Sequence, residues 1–461
     1  MKKLLITAVL FLCLFSCTTD DSVEPNVIPD INPYIGNITF LSQIEINTFG
    51  TYGHTSITGN VLVDDVVNCT NLDGLSQIAK IGGSLTIRGN NSLNDIGLSN
   101  LLEIGEDLII MDNNIIESYG LSNLSSVGGD FHLSANKQGL DVLFDNLKLI
   151  NGNLVIKDEK CNISGLNNLE YIEGECILGY SIIAITGLNN LSDVGSGFIK
   201  IGESGGMDNL ETFNGFNGLT NVDYLFIAFC RRLSTISGFS NLSSAGRIQF
   251  SNNRSLTKID GFNSLIMVDD LIFSRDGSII ENFTGFNNLE TVNNEISISI
   301  DQAKQLYGFN NLSFVGESFV ISQCDSLIDI TGFSNLTTVG IFSIRYCPKL
   351  KSISAFQKLT FATGGFTMYY NDELAQIDDF PSLTHVGGLH ISYSPKLINI
   401  DGLSNILNVS GSLHIGDNTK LTDLCGILPL INNNGLIGEY SVVNNEYNPT
   451  LEDMLNGNCS N

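Results

Sequence analysis

The sequence predicts an all-β fold, a right-handed parallel β-helix (a solenoid) of about sixteen coils with 23 or 24 residues each. Three observations carry this. A kernel, Gly-Phe/Leu-x-Asn-Leu, starts at Gly97 and recurs to Gly402, and from Gly215 onward successive copies lie 23 or 24 residues apart. A fixed period of this size marks a chain that grows by stacking one small unit. Within a unit the apolar residues alternate, as in Ile341-Phe342-Ser343-Ile344-Arg345, which is strand period. A helical stripe of ~10 residues does not fit inside such a unit together with its turns, whereas short strands joined by corners do. Parallel crossovers are nearly always right-handed, which supplies the hand.

The chain has 461 residues, 49 acidic and 22 basic, for a net charge of −27. That balance argues against nucleic acid as a partner, since phosphates need a basic footprint. Charged residues make up 15% and apolar residues 43%, so this is not a disordered acidic chain. Length alone suggests about three domains of ~150 residues; the repeat overrides that, because a solenoid adds coils rather than cores.

The elements follow in order. Residues 1–16 read as a signal segment: Met1-Lys2-Lys3 is basic, Leu4 to Phe15 is apolar, and the run is too short for a good membrane span. The ending Leu14-Phe15-Ser16-Cys17 resembles the lipobox of bacterial lipoproteins, with Phe15 where a small residue is usual. The resemblance implies cleavage before Cys17 and lipidation of its thiol; an ordinary cleaved signal and an uncleaved anchor are the alternatives. The acidic run Asp20-Asp21-Ser22-Val23-Glu24 resembles the surface-export tag of some outer-membrane lipoproteins. Residues 17–34 read as an acidic flexible tether. Residues 35–56 do not fit the repeat and read as a cap, a short helix or a strand across the open end. Coils fill 57–427, and 428–461 form a C-terminal cap.

In the coil after Gly340, Ile341 to Arg345 reads as a strand, Leu350 to Ile353 as a second short element, and Phe356 to Leu359 with its continuation as a third; Phe342, Ile344, Leu350, Ile353, Phe356 and Leu359 are expected to point inward, with Phe319, Ile321, Leu327, Ile330, Phe333 and Leu336 in the same columns one coil earlier. The kernel glycine allows either positive φ at a corner or close approach between coils. The kernel asparagines, among them Asn100, Asn123, Asn168 and Asn335, are expected to satisfy turn backbone groups. Eight residues before the kernel glycine stand Cys230, Asn253, Cys324, Cys347, Asn371, Ser394 and Asn418. Asn and Cys exchanging at a turn resembles the leucine-rich repeat, although the spacing to the next Leu is one residue longer here. Gly-Leu-Ser-Asn-Leu-x-x-Val-Gly-Gly-x-Leu-x-Ile, as at Gly402 to Ile415 and Gly120 to Leu133, is similar to the repeat of the receptor L-domain family, the ligand-binding modules of the insulin and epidermal-growth-factor receptors and their bacterial relatives. The resemblance covers about residues 55 to 430. It implies the architecture and a binding role; it transfers no contact motif, and the receptors' paired cysteine modules are missing.

Exported chains can form disulfides. Cys425 and Cys459 are placed to staple the tail over the last coil, whereas Cys230, Cys324 and Cys347 sit in the turn column as buried thiols. No Cys-x-x-Cys is present, and no nucleophile elbow, P-loop, dinucleotide fingerprint or metalloprotease helix. No metal and no cofactor is expected. His390 and His414 share an outward column, read as solvated strand residues rather than metal ligands. The doublets Asp64-Asp65, Asp269-Asp270 and Asp378-Asp379 read as solvated turns, or as loose calcium ligands.

One column is chemically uneven. Phe229, Tyr346, Tyr370 and Tyr393 stand nine residues before their kernel starts, with Arg345 and Tyr369 in the neighbouring column. Aromatics in a row give rigid apolar area that can face a sugar or a protein; a self-packed ladder that only stabilises the turn is the alternative. The expectation is a lipid-anchored, non-catalytic recognition or adhesion solenoid at the bacterial outer membrane. It would be surface-exposed, with a protein or carbohydrate ligand and no nucleic acid. A polysaccharide-acting β-helix enzyme and a structural spacer are the alternatives.

Overall fold

The structure is a computed structural model that describes residues 32–179, 181–202, 206–277 and 279–461. The expected signal segment, Cys17 and the tether up to residue 31 lie outside the described residues.

Alternation makes the rungs. In Thr338–Arg345 the side chains of Val339, Phe342 and Ile344 are buried while Ile341 is exposed. This strand pairs in parallel with Phe314–Ser322 before it and Phe361–Tyr369 after it, with Ile344 opposite Ile321 and Met368. The same pairing continues through about eighteen turns, from Ile38–Ser42 to Tyr440–Val443. The kernel count gives sixteen. The two further turns come from the terminal segments, which pair in register without carrying the kernel.

Two narrower faces complete the coil. One runs as two-residue strands from Pro33–Tyr34 to Asp193–Val194. From Asn221–Ala228 to Phe361–Tyr369 this face and the main one are carried by single strands of 8 to 10 residues. The third face stacks from Asn162–Ile163 to Ser352–Ile353. All named pairings are parallel, and among the described residues the main strands are paired on both sides except at the two ends. Phe356 to Leu359, expected as part of a third short element, is instead a turn closed by the Leu359 N–H on the Phe356 carbonyl at 3.0 Å. The same turn recurs at Leu101 on Leu98 and at Leu336 on Phe333, both 3.0 Å.

The kernel glycine answers to close approach more than to φ. A Cβ on Gly187 would lie 2.0 Å from the Gly165 carbonyl oxygen, and one on Gly261 would lie 2.0 Å from that of Gly238. The kernel asparagines reach back one coil: Asn100 donates to Ser76 O at 2.9 Å and Asn123 to Ser99 O at 2.7 Å. A second, buried ladder runs inside the turn after the main strand. There the Asn90 N–H donates to Asn113 Oδ1 (3.1 Å), the Asn113 N–H to Asn136 Oδ1 (3.2 Å), and the Asn418 N–H to Asn445 Oδ1 (3.1 Å). Cys230 and Cys347 stand in this ladder and donate their N–H groups to Asn253 and Asn371.

The core is one continuous cluster whose filling changes along the rod. Leucines dominate the kernel column in the first half. Then Phe216, Phe239, Phe262, Phe286, Phe309, Phe333, Phe356 and Phe380 stack face to face, 5.0 to 5.9 Å apart. A second phenylalanine column on the main strands, Phe319, Phe342 and Phe366, meets the first edge-on, as in Phe342–Phe356 at 4.8 Å.

The ends differ. The helix α1, Gln43–Gly50, takes the place of the first kernel turn, capped by the Ser42 hydroxyl and packed so tightly that the Ile46 carbonyl would lie 2.0 Å from a Cβ on Gly74. At the other end α2, Leu428–Asn432, and α3, Leu451–Leu455, lie over the last coil, tied by the disulfide Cys425–Cys459. Cys69, Cys161, Cys176, Cys230, Cys324 and Cys347 are buried thiols outside any disulfide; burial pushes the thiols of Cys161 and Cys176 up to about 12.

Candidate functional site: an exposed tyrosine ladder

In many coils the residue that ends the main strand takes a left-handed turn while its N–H still reaches the next coil, as Tyr346 does to Tyr369 O at 3.1 Å. Glycine, Asn and Asp tolerate this conformation best. Asp65, Gly89, Asp112, Asn252, Asp417 and Asn444 comply, whereas Ala135, Phe229 and Gln323 do not. Three successive coils instead hold Tyr346, Tyr370 and Tyr393, at φ 54°, 55° and 51°. They are 43%, 38% and 44% exposed. Their rings stack almost parallel, 5.0 Å apart for Tyr346–Tyr370 and 4.5 Å for Tyr370–Tyr393.

Tyr369 is half-buried and meets Tyr346 and Tyr370 edge-on at 5.3 and 5.7 Å. Arg345 donates to the Tyr369 hydroxyl at 3.1 Å, with its guanidinium 6.0 Å from that ring. These five residues form one cluster. Phe229 occupies the same column at φ 59°, but it lies five coils upstream with Asn252 and Gln323 among the intervening positions, so it stands apart.

Sequence reasoning placed His390 and His414 in one outward column but did not find the other flanks. Upstream, Asp301, Gln323, Asp325 and Tyr346 line an open groove of about 420 Å³. Downstream, the Asp417 carboxylate faces Tyr393, and its charge, ahead of the neighbouring Tyr370, pushes the Tyr393 hydroxyl pKa up. Along the main strand beyond Tyr369, His390 and His414 are paired in register with rings 4.9 Å apart, and their nitrogens engage the Ser392 and Ser441 hydroxyls at 2.8 and 3.1 Å. Burial, then His414, lowers the His390 pKa. The aromatic step is thus bounded by hydrogen-bonding groups on three sides. Such an arrangement offers rigid apolar area in the middle and directional polar contacts at its rim.

The acidic doublets are engaged in the fold. Asp64 accepts from Arg88 Nε at 2.8 Å, which holds its carboxyl below the usual range. Asp270 accepts from Arg247 at 3.1 Å, and Asp379 accepts the Phe356 N–H at 2.9 Å. Among the described residues no group of three or more His, Cys, Asp or Glu is placed to hold a metal ion, and no helix is long and apolar enough to cross a membrane.

The sequence matches no protein-family model and no curated protein. Among solved structures it is similar to a leucine-rich repeat protein from Bacteroides ovatus, at 14% identity and a TM-score of 0.26, covering 83% of this chain and 78% of that one. It is also similar to a leucine-rich cell surface protein from Faecalibacterium prausnitzii, at 11% identity and a TM-score of 0.22, covering 91% and 85%. A third similarity is to the TLR13–ssRNA13 complex, at 12% identity and a TM-score of 0.16, covering 88% and 76%. The coil geometry makes the chain a parallel β-solenoid, and its neighbours among solved structures include leucine-rich repeat proteins of bacteria.

Proposed function

We propose that this chain is a non-catalytic recognition solenoid, held at the outer membrane by a lipid on Cys17, that takes a protein or glycan ligand along Tyr346, Tyr370 and Tyr393. Arg345 and Tyr369 form the flank of that site. The carrying observation is the backbone. A left-handed residue other than glycine costs about 1 kcal/mol. Buried aromatics such as Phe239 and Phe333, at φ 61° and 65°, offset that cost by burial worth about 2–3 kcal/mol. The three tyrosines are 43%, 38% and 44% exposed and offset it only in part, through their mutual stacking and the edge contacts with Tyr369, at a position held by Gln323 on the coil before and Asp417 on the coil after. Strain kept at a surface with only part of the ring buried to offset it fits a contact surface. The likeness of the repeat to receptor L-domains supports the same role.

The test replaces Tyr346, Tyr370 and Tyr393 together with Asn, which suits the left-handed turn. Binding of the purified protein to glycan arrays and to extracellular protein fractions is expected to be lost while the melting temperature holds. Retained binding at wild-type strength would remove the ladder as the site. Depolymerisation of a glycan by the protein would favour an enzyme, and absence of any bound class would favour a spacer.

A further inference from the structure

The N-terminal end of the rod is chemically unlike the rest of the surface. Ile35, Leu41, Ile44 and Tyr52 are 74%, 66%, 76% and 62% exposed. Ile44 and Tyr52 line a shallow hollow of about 300 Å³ together with Tyr34, Phe40, Glu45 and Phe49 among others, and Ile35 and Leu41 are sequence neighbours of its lining residues. Beneath it Tyr34, Phe40, Phe49 and His54 pack ring against ring at 5.3 to 5.6 Å, so the patch is rigid. In a chain of net charge −27, residues 32–54 contain no Lys or Arg and one acid, Glu45. That carboxylate is exposed at the rim of the hollow, where it accepts the Leu41 N–H at 2.7 Å and so is already engaged.

The opposite end is also apolar but carries the wrong charge. Ile437, Leu451 and Leu455 are 71%, 43% and 54% exposed, and Glu439, Glu446 and Glu452 are exposed around them. Carboxylates at that density disfavour a lipid surface, whereas aliphatic residues mixed with Tyr and no net cluster of charge suit the zone between headgroups and acyl chains. The chain that precedes Asn32 also leaves from the N-terminal end, so any anchor at Cys17 holds this end near the bilayer.

We infer that the end face formed by Ile35, Leu41, Ile44 and Tyr52 docks on a lipid bilayer, so that the solenoid stands on its N-terminal cap with its long axis away from the membrane. This rests on the anchored reading above. The tether sets the distance; the patch sets the orientation.

The chain contains no tryptophan, which makes the test direct. The full-length lipidated protein carrying Ile44→Trp is reconstituted into phosphatidylcholine vesicles and, separately, into vesicles containing brominated phosphatidylcholine. A parallel sample carries Ile437→Trp. The expected result is a blue-shifted emission quenched by brominated lipid at position 44 and neither effect at 437. Adding Leu41→Asn and Ile35→Asn is expected to abolish the quenching at 44 while the protein still floats with the vesicles. Flotation without quenching at 44 would overturn the docking and leave the anchor standing. A blue shift without quenching, growing with protein concentration, would assign the patch to a second copy and also overturn it. Failure to float would overturn the anchored reading itself.

Discussion

At the scale of single residues, the two left-handed columns decide the argument. Phe239 and Phe333 can be read from the sequence because the kernel recurs; the strain beneath Tyr346, Tyr370 and Tyr393 cannot, because φ is not written in residue type. The groove with Asp301, Gln323 and Asp325 was missed for that reason. Exchanging the three tyrosines for Asn removes two stacks and two edge contacts with Tyr369, worth about 1 kcal/mol each, and relieves three strained residues by about 1 kcal/mol each. Stability by denaturant titration is therefore expected to fall by only about 1 kcal/mol; a drop of several kcal/mol would mark the ladder as structural. Gly261→Ala is expected to lower stability by about 2 kcal/mol, since the added methyl meets the Gly238 carbonyl.

A carboxylate inside the buried asparagine ladder gives a pH prediction. Asp158 is fully buried, accepts from the Asn136 backbone and side-chain amides at 3.0 and 3.2 Å, and takes the Tyr119 hydroxyl as a further donor. Burial outweighs these bonds and raises its pKa, and burial ahead of the Asp158 charge raises that of Tyr119. A carboxyl with a raised folded pKa contributes its full stability below the unfolded value, near 3.8, and loses it as the pH rises through the folded value. Asp158→Asn keeps the acceptor and removes the charge. The variant is expected to melt higher than the parent at neutral pH, and its melting temperature to fall less as the pH rises above the unfolded value. Asp158 was not legible as a ladder member because it stands seven residues before Gly165, as Asn90 and Asn113 do before Gly97 and Gly120, whereas the column read from the sequence stands eight before its kernel.

At the scale of elements, the strands were legible and the ends only in outline. Residues 35–56 were expected to hold a helix or a strand, and both occur, because Ile38–Ser42 finds a partner in Val61–Val67 before α1 begins. The kernel turn was misread as a further short strand-like element; its Leu-to-Phe hydrogen bond competes with strand pairing and wins. Cys425–Cys459 closes 34 residues of tail, which by chain entropy is worth about 3–4 kcal/mol. Cys459→Ala is expected to expose residues 428–461 to limited proteolysis first. Resistance of that tail equal to the parent's would show that α2 and α3 hold by packing alone.

At the scale of the whole molecule, a period of 23 or 24 residues was enough to give the architecture, since each coil contacts only its neighbours. The same locality hides the ligand. A repeat tells where side chains stack, and only the departures from it, such as Tyr in place of Asp, mark where the proposed ligand site would lie.

The change of filling from leucine to stacked phenylalanine has a mechanical consequence. A load applied through the N-terminal tether meets parallel rungs that open one after another, like a zip, rather than all at once. Each opened coil releases roughly 80 Å of slack. Force spectroscopy is expected to record a train of such steps whose rupture force climbs once the front passes Gly215 and enters the eight-ring column. A single all-or-none rupture would show that the rod fails as one block. With graded steps, the outer coils act as a fuse that yields first and leaves the tyrosine-bearing coils folded.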